Sequence, residues 1–238
     1  MAEAAAFTGK QSETGHAAEY LGVKVPASVY VTEARAERIN AGRYEGQEIA
    51  GALHVVREGD VVLEIGAGLG VVGGVVTHNR KPKQVRAYEA NPNMIPLVNA
   101  LYELNGLTDR ISVRNQVLIS SEDRPDSLPF YIPSSYLGAS LSTGGRPARE
   151  THHVPTVSFN DTCAELSPDV LIMDIEGGEL ELLRDADLSG FRAIVVEFHP
   201  KVYGREGMRE CKSILTQAGF EKVEDVSTRL VWTCTRNV

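Results

Sequence analysis

Three carboxylates crowd the end of one apolar run. Residues 170–179 read Val-Leu-Ile-Met-Asp-Ile-Glu-Gly-Gly-Glu, which delivers Asp174, Glu176 and Glu179 within six positions. Carboxylates are costly to hold near a core unless they bind something. In an open α/β sheet, ligands sit beyond the carboxyl ends of the strands, where this cluster would lie. Glu179 has a second reading as an acid in the first turn of a helix, where the dipole favours it. His199 follows the next apolar run, residues 192–198, and should stand at the neighbouring strand tip. A histidine beside carboxylates has its charged form favoured, yet it is the natural proton acceptor near neutral pH.

A second group of residues suits a nucleoside. Residues 64–70 read Glu-Ile-Gly-Ala-Gly-Leu-Gly directly after the run Val-Val-Leu-Glu-Ile at 61–65. Gly66, Gly68 and Gly70 let the backbone turn tightly and approach a ligand without Cβ clashes. NAD and flavin proteins use similar loops, but Val71 stands where the third glycine of the dinucleotide fingerprint belongs. Glu64 would repel a pyrophosphate and welcome an ammonium group. Glu89 closes the following strand, 19 residues beyond Gly70, where an acid accepts hydrogen bonds from both ribose hydroxyls. A ligand with an adenosine, a cationic centre and an amino-acid tail satisfies all of this. The expected ligand is S-adenosylmethionine, with S-adenosylhomocysteine as product.

The elements that must position these residues alternate regularly. A helix is expected over 46–57, where Ile49, Leu53 and Val56 share a face. Buried strands follow at 61–65, 84–89, 111–118, 169–174 and 192–198, with helices at 70–79, 93–105, 177–186 and 206–217 between and after them. Such alternation implies a parallel sheet, and the closing runs 220–225 and 229–235 imply a hairpin around Ser227. Residues 120–160 break the rhythm with a Ser-, Pro- and Gly-rich insertion holding short extended pieces at 129–133, 139–142 and 154–158. An insertion of this length in a compact domain reads as a substrate lid. Residues 1–28 are small, polar and unpatterned, and read as a mobile arm or loose first helix. The division is thus an N-terminal arm at 1–42 and a catalytic domain at 43–238.

Composition narrows the partners. The 238-residue chain carries 24 Lys plus Arg against 32 Asp plus Glu, a net charge of −8, with no basic block. That disfavours nucleic acid and anionic membranes and suits a small-molecule acceptor. Cys163, Cys211 and Cys234 are odd in number and scattered, which argues against a disulfide framework or a zinc site. The N-terminus lacks the basic and apolar regions of a signal peptide, and no apolar run reaches the roughly 20 residues of a membrane span. A cytoplasmic location is expected. The oligomeric state is left open, a homodimer among the options.

The motifs VVLEIGAGLG, YEANPNMIPLVNALYELNG, VPTVSFNDTC, MDIEGGELELL and IVVEFHP together resemble those of the FkbM-type class I methyltransferases, over roughly residues 43–235. The DIEGGE run is the most specific of them. The resemblance implies an α/β, Rossmann-like fold whose seven-stranded, mostly parallel sheet has the order 3-2-1-4-5-7-6, flanked by helices. It implies S-adenosylmethionine as donor and hydroxyl groups of sugars, polyketides and related metabolites as acceptors. Carried over by position, Gly66, Ala67, Gly68 and Gly70 would line the methionine portion and Glu89 the ribose. Ala90 and Asn91 would lie beside the adenosine, and Gln116 and Val117 would edge the adenine. Glu64 stands where many members have Asp, and residues 1–42 match nothing in the family.

Methyl transfer to a hydroxyl requires alignment of the acceptor and removal of its proton. His199 or Asp174 is expected to take that proton, with Asp174 also facing the methyl group and Glu176 orienting the acceptor. Some enzymes of this fold bind Mg²⁺ at the same tips, but His199 replaces an expected acidic ligand, so no metal is favoured. His152 and His153, with Tyr136 and Ser140, are candidates for touching substrate. Alternatives are a small-molecule N-methyltransferase, a non-catalytic nucleoside-binding protein and an NAD-dependent oxidoreductase, the last disfavoured by Glu64 and the DIEGGE run.

Overall fold

The computed structural model describes residues 15–133 and 148–236. Before the glycine loop lie β1 (His16–Tyr20), β2 (Val23–Pro26), α1 (Glu33–Asn40) and α2 (Gly46–Val55). Then come β3 (Val61–Ile65), α3 (Val71–Arg80), β4 (Gln84–Tyr88), α4 (Ile95–Leu104), β5 (Ile111–Arg114) and β6 (Val117–Ile119). The insertion gives β7 (Ser127–Pro133) and β8 (Ala148–Ser158), followed by α5 (Phe159–Leu166) and β9 (Val170–Met173). The chain ends with α6 (Glu179–Asp185), β10 (Ala193–Glu197), α7 (Pro200–Gln217), β11 (Glu221–Lys222) and β12 (Val231–Thr235).

The central sheet has seven strands in the order β5-β4-β3-β9-β10-β12-β11. Counted along the chain within that sheet, this is the expected order 3-2-1-4-5-7-6. β3, β4, β5, β9 and β10 are parallel, and β12 closes antiparallel to β10 and β11. Both faces are covered, so the strands read as continuous apolar runs. Val62, Val85, Val170, Ile172 and Val195 point to the face covered by α2, α3 and α4. Leu63, Leu171, Met173, Ile194 and Val196 alternate to the other face, against α6 and α7. Cys211 and Cys234 are buried there as free thiols, and Cys163 is half-buried. No helix among the described residues is long and apolar enough to cross a membrane.

Three expectations change. Residues 16–26 are neither arm nor helix but an antiparallel hairpin. Leu21 and Gly22 both adopt positive φ, 47° and 82°, which is the two-residue turn that suits strand twist. Ala18, Val23 and Val25 join the core, and Asn105 clamps the edge, with Nδ2 donating to Lys24 O at 2.7 Å and Oδ1 accepting from Lys24 N at 2.8 Å. The expected strand 111–118 is two strands. Asn115 donates to the carbonyls of Glu89 and Ala90 at 2.8 and 3.0 Å, and the chain leaves the main sheet there. β6 then pairs with β8, which pairs with β7, so the insertion forms a three-stranded sheet of its own. The expected strand at 139–142 lies outside the described residues. Finally, the last long helix begins at Pro200 and breaks at Gly204 (φ 77°, ψ 174°), which hides its first turns from a helical-spacing argument.

Candidate active site

The strand register decides which residues meet. Ile65 pairs with both Tyr88 and Met173, and Met173 pairs with Val196. The following positions, Glu89, Gly66, Asp174 and Glu197, therefore lie in a row along the carboxyl edge of the sheet. Gly66 and Ala67 both donate to Tyr88 O, at 2.9 and 3.1 Å, and Asp174 N donates to Ile65 O at 2.9 Å. Gly66 has φ 88°, and a Cβ there would lie 1.6 Å from the Asp174 carbonyl oxygen. Only glycine lets the loop pass this close to the neighbouring strand.

Glu89 organises the loop. Its Oε2 accepts from Gly68 N at 2.8 Å and its Oε1 from Asn91 N at 2.7 Å. Burial raises its proton affinity, while these N–H donors favour the anion. Each oxygen keeps a lone pair for a further donor. A cavity of about 380 Å³ opens beside it, lined by Gly66, Glu89, Ala90, Gln116, Val117, Asp174 and Glu176 among others. Its apolar wall includes Leu118, Leu128, Phe130 and Leu182. Two lining residues hold buried oxygens without a hydrogen-bond partner, Gln116 Oε1 and Asp174 Oδ1. A ligand bringing an N–H donor to the first and positive charge to the second would satisfy both, so an S-adenosyl compound fits this set.

Glu64, Ala67, Gly68, Gly70, Asn91 and His199 are not on that wall. Glu64 is packed behind the loop, where its Oε1 accepts from Gly73 N at 2.9 Å. Burial pushes its carboxyl up to about 8, against that N–H bond. Asn91 is buried in the turn after β4, its Oδ1 accepting from Asn93 N at 3.0 Å.

His199 stands beside the cavity rather than in it. Its Nδ1 is 2.8 Å from Glu179 Oε1, and its Nε2 is 3.4 Å from Glu176 Oε2 and 3.7 Å from Asp174 Oδ1. Its backbone N–H donates to Tyr203 Oη at 2.6 Å. Burial opposes the charged ring, but the hydrogen bond and charge of Glu179, with Asp174 and Glu176 behind, outweigh it and push His199 up to about 9. Burial, then Glu197, raises the Asp174 carboxyl well above the usual carboxylate range, with His199 pulling the other way. Among the described residues, Asp174, Glu197 and His199 each offer a ligand atom within 4.8 Å of the others. Because Glu179, Asp174 and Glu176 raise the proton affinity of His199, a cation there would compete with a proton for the ring.

The chain matches the Methyltransferase FkbM domain over residues 64–222. It belongs to the FkbM methyltransferase family. A search of the curated proteins finds no match. Similar solved structures include a protein of the NADB-Rossmann superfamily from Streptococcus agalactiae, 14% identical with TM-score 0.45, covering 79% of this chain and 65% of that one. Another is a precorrin-6y methyltransferase from Geobacter metallireducens, 12% identical with TM-score 0.46, covering 82% and 89%. A third is a tRNA methyltransferase from B. subtilis, 13% identical with TM-score 0.47, covering 80% and 65%. This chain thus spans just under two thirds of the first and third structures. All three likenesses are distant, and the family match carries the assignment.

In this FkbM-family chain, sequence spacing left Glu197, Tyr44 and Glu45 unmarked and gave Glu179 only a helix-start role in the end. Glu179 reads locally as a helix start, and it does begin α6, yet it is fully buried and grips His199. Glu197 is hidden inside an apolar strand, and burial, then Glu48, pushes it up to about 7. Tyr44 and Glu45 precede α2 with no motif to mark them; only the proximity of Glu45 to Gly68 in space gives them away. His152 lies 3.3 Å from Glu150, and neither it nor His153 lines the cavity. Tyr136 and Ser140 lie outside the described residues.

Proposed function

We propose that this protein methylates a hydroxyl group of a small metabolite, with His199 taking the hydroxyl proton. The observation that carries this reading is the Glu179–His199 pair, a ring fixed through Nδ1 whose Nε2 faces the two acids at the cavity edge. S-adenosylmethionine supplies an electrophilic methyl group on a sulfonium centre. The chain's own task is then to hold both partners in line and to move one proton. Gly66, Ala67, Gly68 and Gly70 form the loop over which the methionine end lies. Glu89, held by Asn91 and Gly68, receives the ribose hydroxyls. Ala90, Gln116 and Val117 border the adenine.

On the acceptor side, Asp174 faces the reacting centre and Glu176 orients the hydroxyl. His199 starts protonated, and sharing Asp174 and Glu176 with the donor's positive charge loosens its Nε2 proton, which passes to bulk water before the transfer. Its free Nε2 then accepts the acceptor's proton as the new bond forms, while Glu179 keeps the ring and tautomer fixed. The net charge of −8 supports an unphosphorylated acceptor over a polyanion.

His199→Ala tests the assignment directly. Single-turnover methyl transfer at saturating donor should fall by at least about 100-fold, while calorimetric affinity for S-adenosylhomocysteine stays within about threefold. Full turnover in this variant would remove His199 from the chemistry.

A further inference from the structure

Glu45 holds a carboxyl oxygen for which the described residues supply no hydrogen-bond partner. It stands just before α2 with φ 50° and ψ 32°, a left-handed backbone that a residue with a Cβ adopts at a cost. Its side chain is largely buried, and Oε2 is shut off from solvent with no hydrogen-bond partner. The Tyr44 hydroxyl lies beside the same carboxyl group. A Cβ built on Gly68 would lie 3.5 Å from Glu45 Oε1 and 3.9 Å from Tyr44 Oη, so both side chains sit over the middle glycine of the loop. Burial, then the charge of Asp174, holds the Glu45 carboxyl well above its ordinary range, and Glu48 and Glu64 act in the same sense. A carboxylate in such company, with an unfilled acceptor, is matched by a cation from outside the chain.

The reading above puts the methionine end of the donor over this loop, and that end bears an ammonium group. Glu64, the acid that sequence position suggests for it, is committed to Gly73 behind the loop; a Cβ on Gly73 would lie 2.2 Å from Glu64 Oε2. Glu45 instead lies against Gly68, with its Oε1 3.5 Å from where a Cβ there would stand. We propose that Glu45, steadied by Tyr44, is the positioning residue that receives the donor's α-ammonium, an inference that rests on the donor reading of the glycine loop. The residue lies outside the stretch 64–222 that matches the family, so the segment before β3 completes the donor site. The pair also makes the site selective for ligands that keep the amino-acid end over nucleosides that lack it.

Calorimetry on the full chain separates the possibilities, with S-adenosylhomocysteine and 5′-methylthioadenosine as probes. The latter keeps adenine and ribose but has no amino-acid end. Glu45→Gln should weaken S-adenosylhomocysteine at least tenfold and leave 5′-methylthioadenosine unchanged, which also certifies that the variant is folded. Equal affinity of wild type and variant for S-adenosylhomocysteine would overturn the inference. So would a parallel loss for both probes, which would mark Glu45 as structural only. If the wild-type chain bound neither probe, the donor reading of the loop would itself fall, and this inference with it.

Discussion

A histidine that takes a proton during catalysis needs a fixed ring and a titration range near the working pH. Glu179 supplies the first and, in the resting protein, opposes the second. The groups facing the imidazole are Glu179 from α6, Asp174 and Glu176 from the loop after β9, Glu197 from β10 and Tyr203 from α7. Burial alone would lower His199, but Glu179, then Asp174 and Glu176, push it up to about 9. The sign follows from linkage: a raised histidine stabilises the fold below its unfolded value of about 6.5, and that contribution is lost as pH rises through the folded value. Glu179→Gln removes the largest favourable partner. The imidazole midpoint, followed by NMR, should fall by at least about one unit, and the rising limb of kcat against pH should shift the same way. An unmoved midpoint would show that Asp174 and Glu176 hold the proton unaided. The positions of Asp174 and Glu89 at strand tips were legible from sequence because each closes an expected strand. The roles of Glu179, Glu197 and Glu45 were not, because their partners come from distant segments and no local spacing encodes them.

At the scale of elements, the loop after β3 and the strand β9 are held at one distance by the absence of a side chain. Gly66→Ala would place a Cβ 1.6 Å from the Asp174 carbonyl and force a residue with φ 88° into a region it avoids. The expected cost is about 3 kcal/mol, or a fall in Tm of roughly 6–12 °C for a chain of this size. Donor affinity should drop with it, since the loop is packed against the Asp174 backbone at this point; an unchanged Tm would contradict the close approach. Helices and strands of the repeating αβ part could be read from periodicity because tertiary packing agrees with local pattern there. The hairpin at 16–26 escaped because its turn is Leu-Gly rather than a common turn pair, and its core residues number only three. The break between β5 and β6 escaped because the side chain that causes it, Asn115, acts through carbonyls on another strand.

For the whole molecule, strand order followed from the family resemblance and the register placed Glu89, Asp174 and Glu197 at one edge of the sheet. With a charge of −8 and a carboxylate cluster at the site, the molecule attracts cations and repels polyanions. That combination favours a positively charged donor and disfavours a phosphate-rich acceptor. The most direct test incubates the full chain with methyl-labelled S-adenosylmethionine and a cell extract, then separates small metabolites, RNA and protein. Label should enter the metabolite fraction as a base-stable methyl ether, and His199→Ala should abolish it. Label found only in RNA or protein would contradict the account.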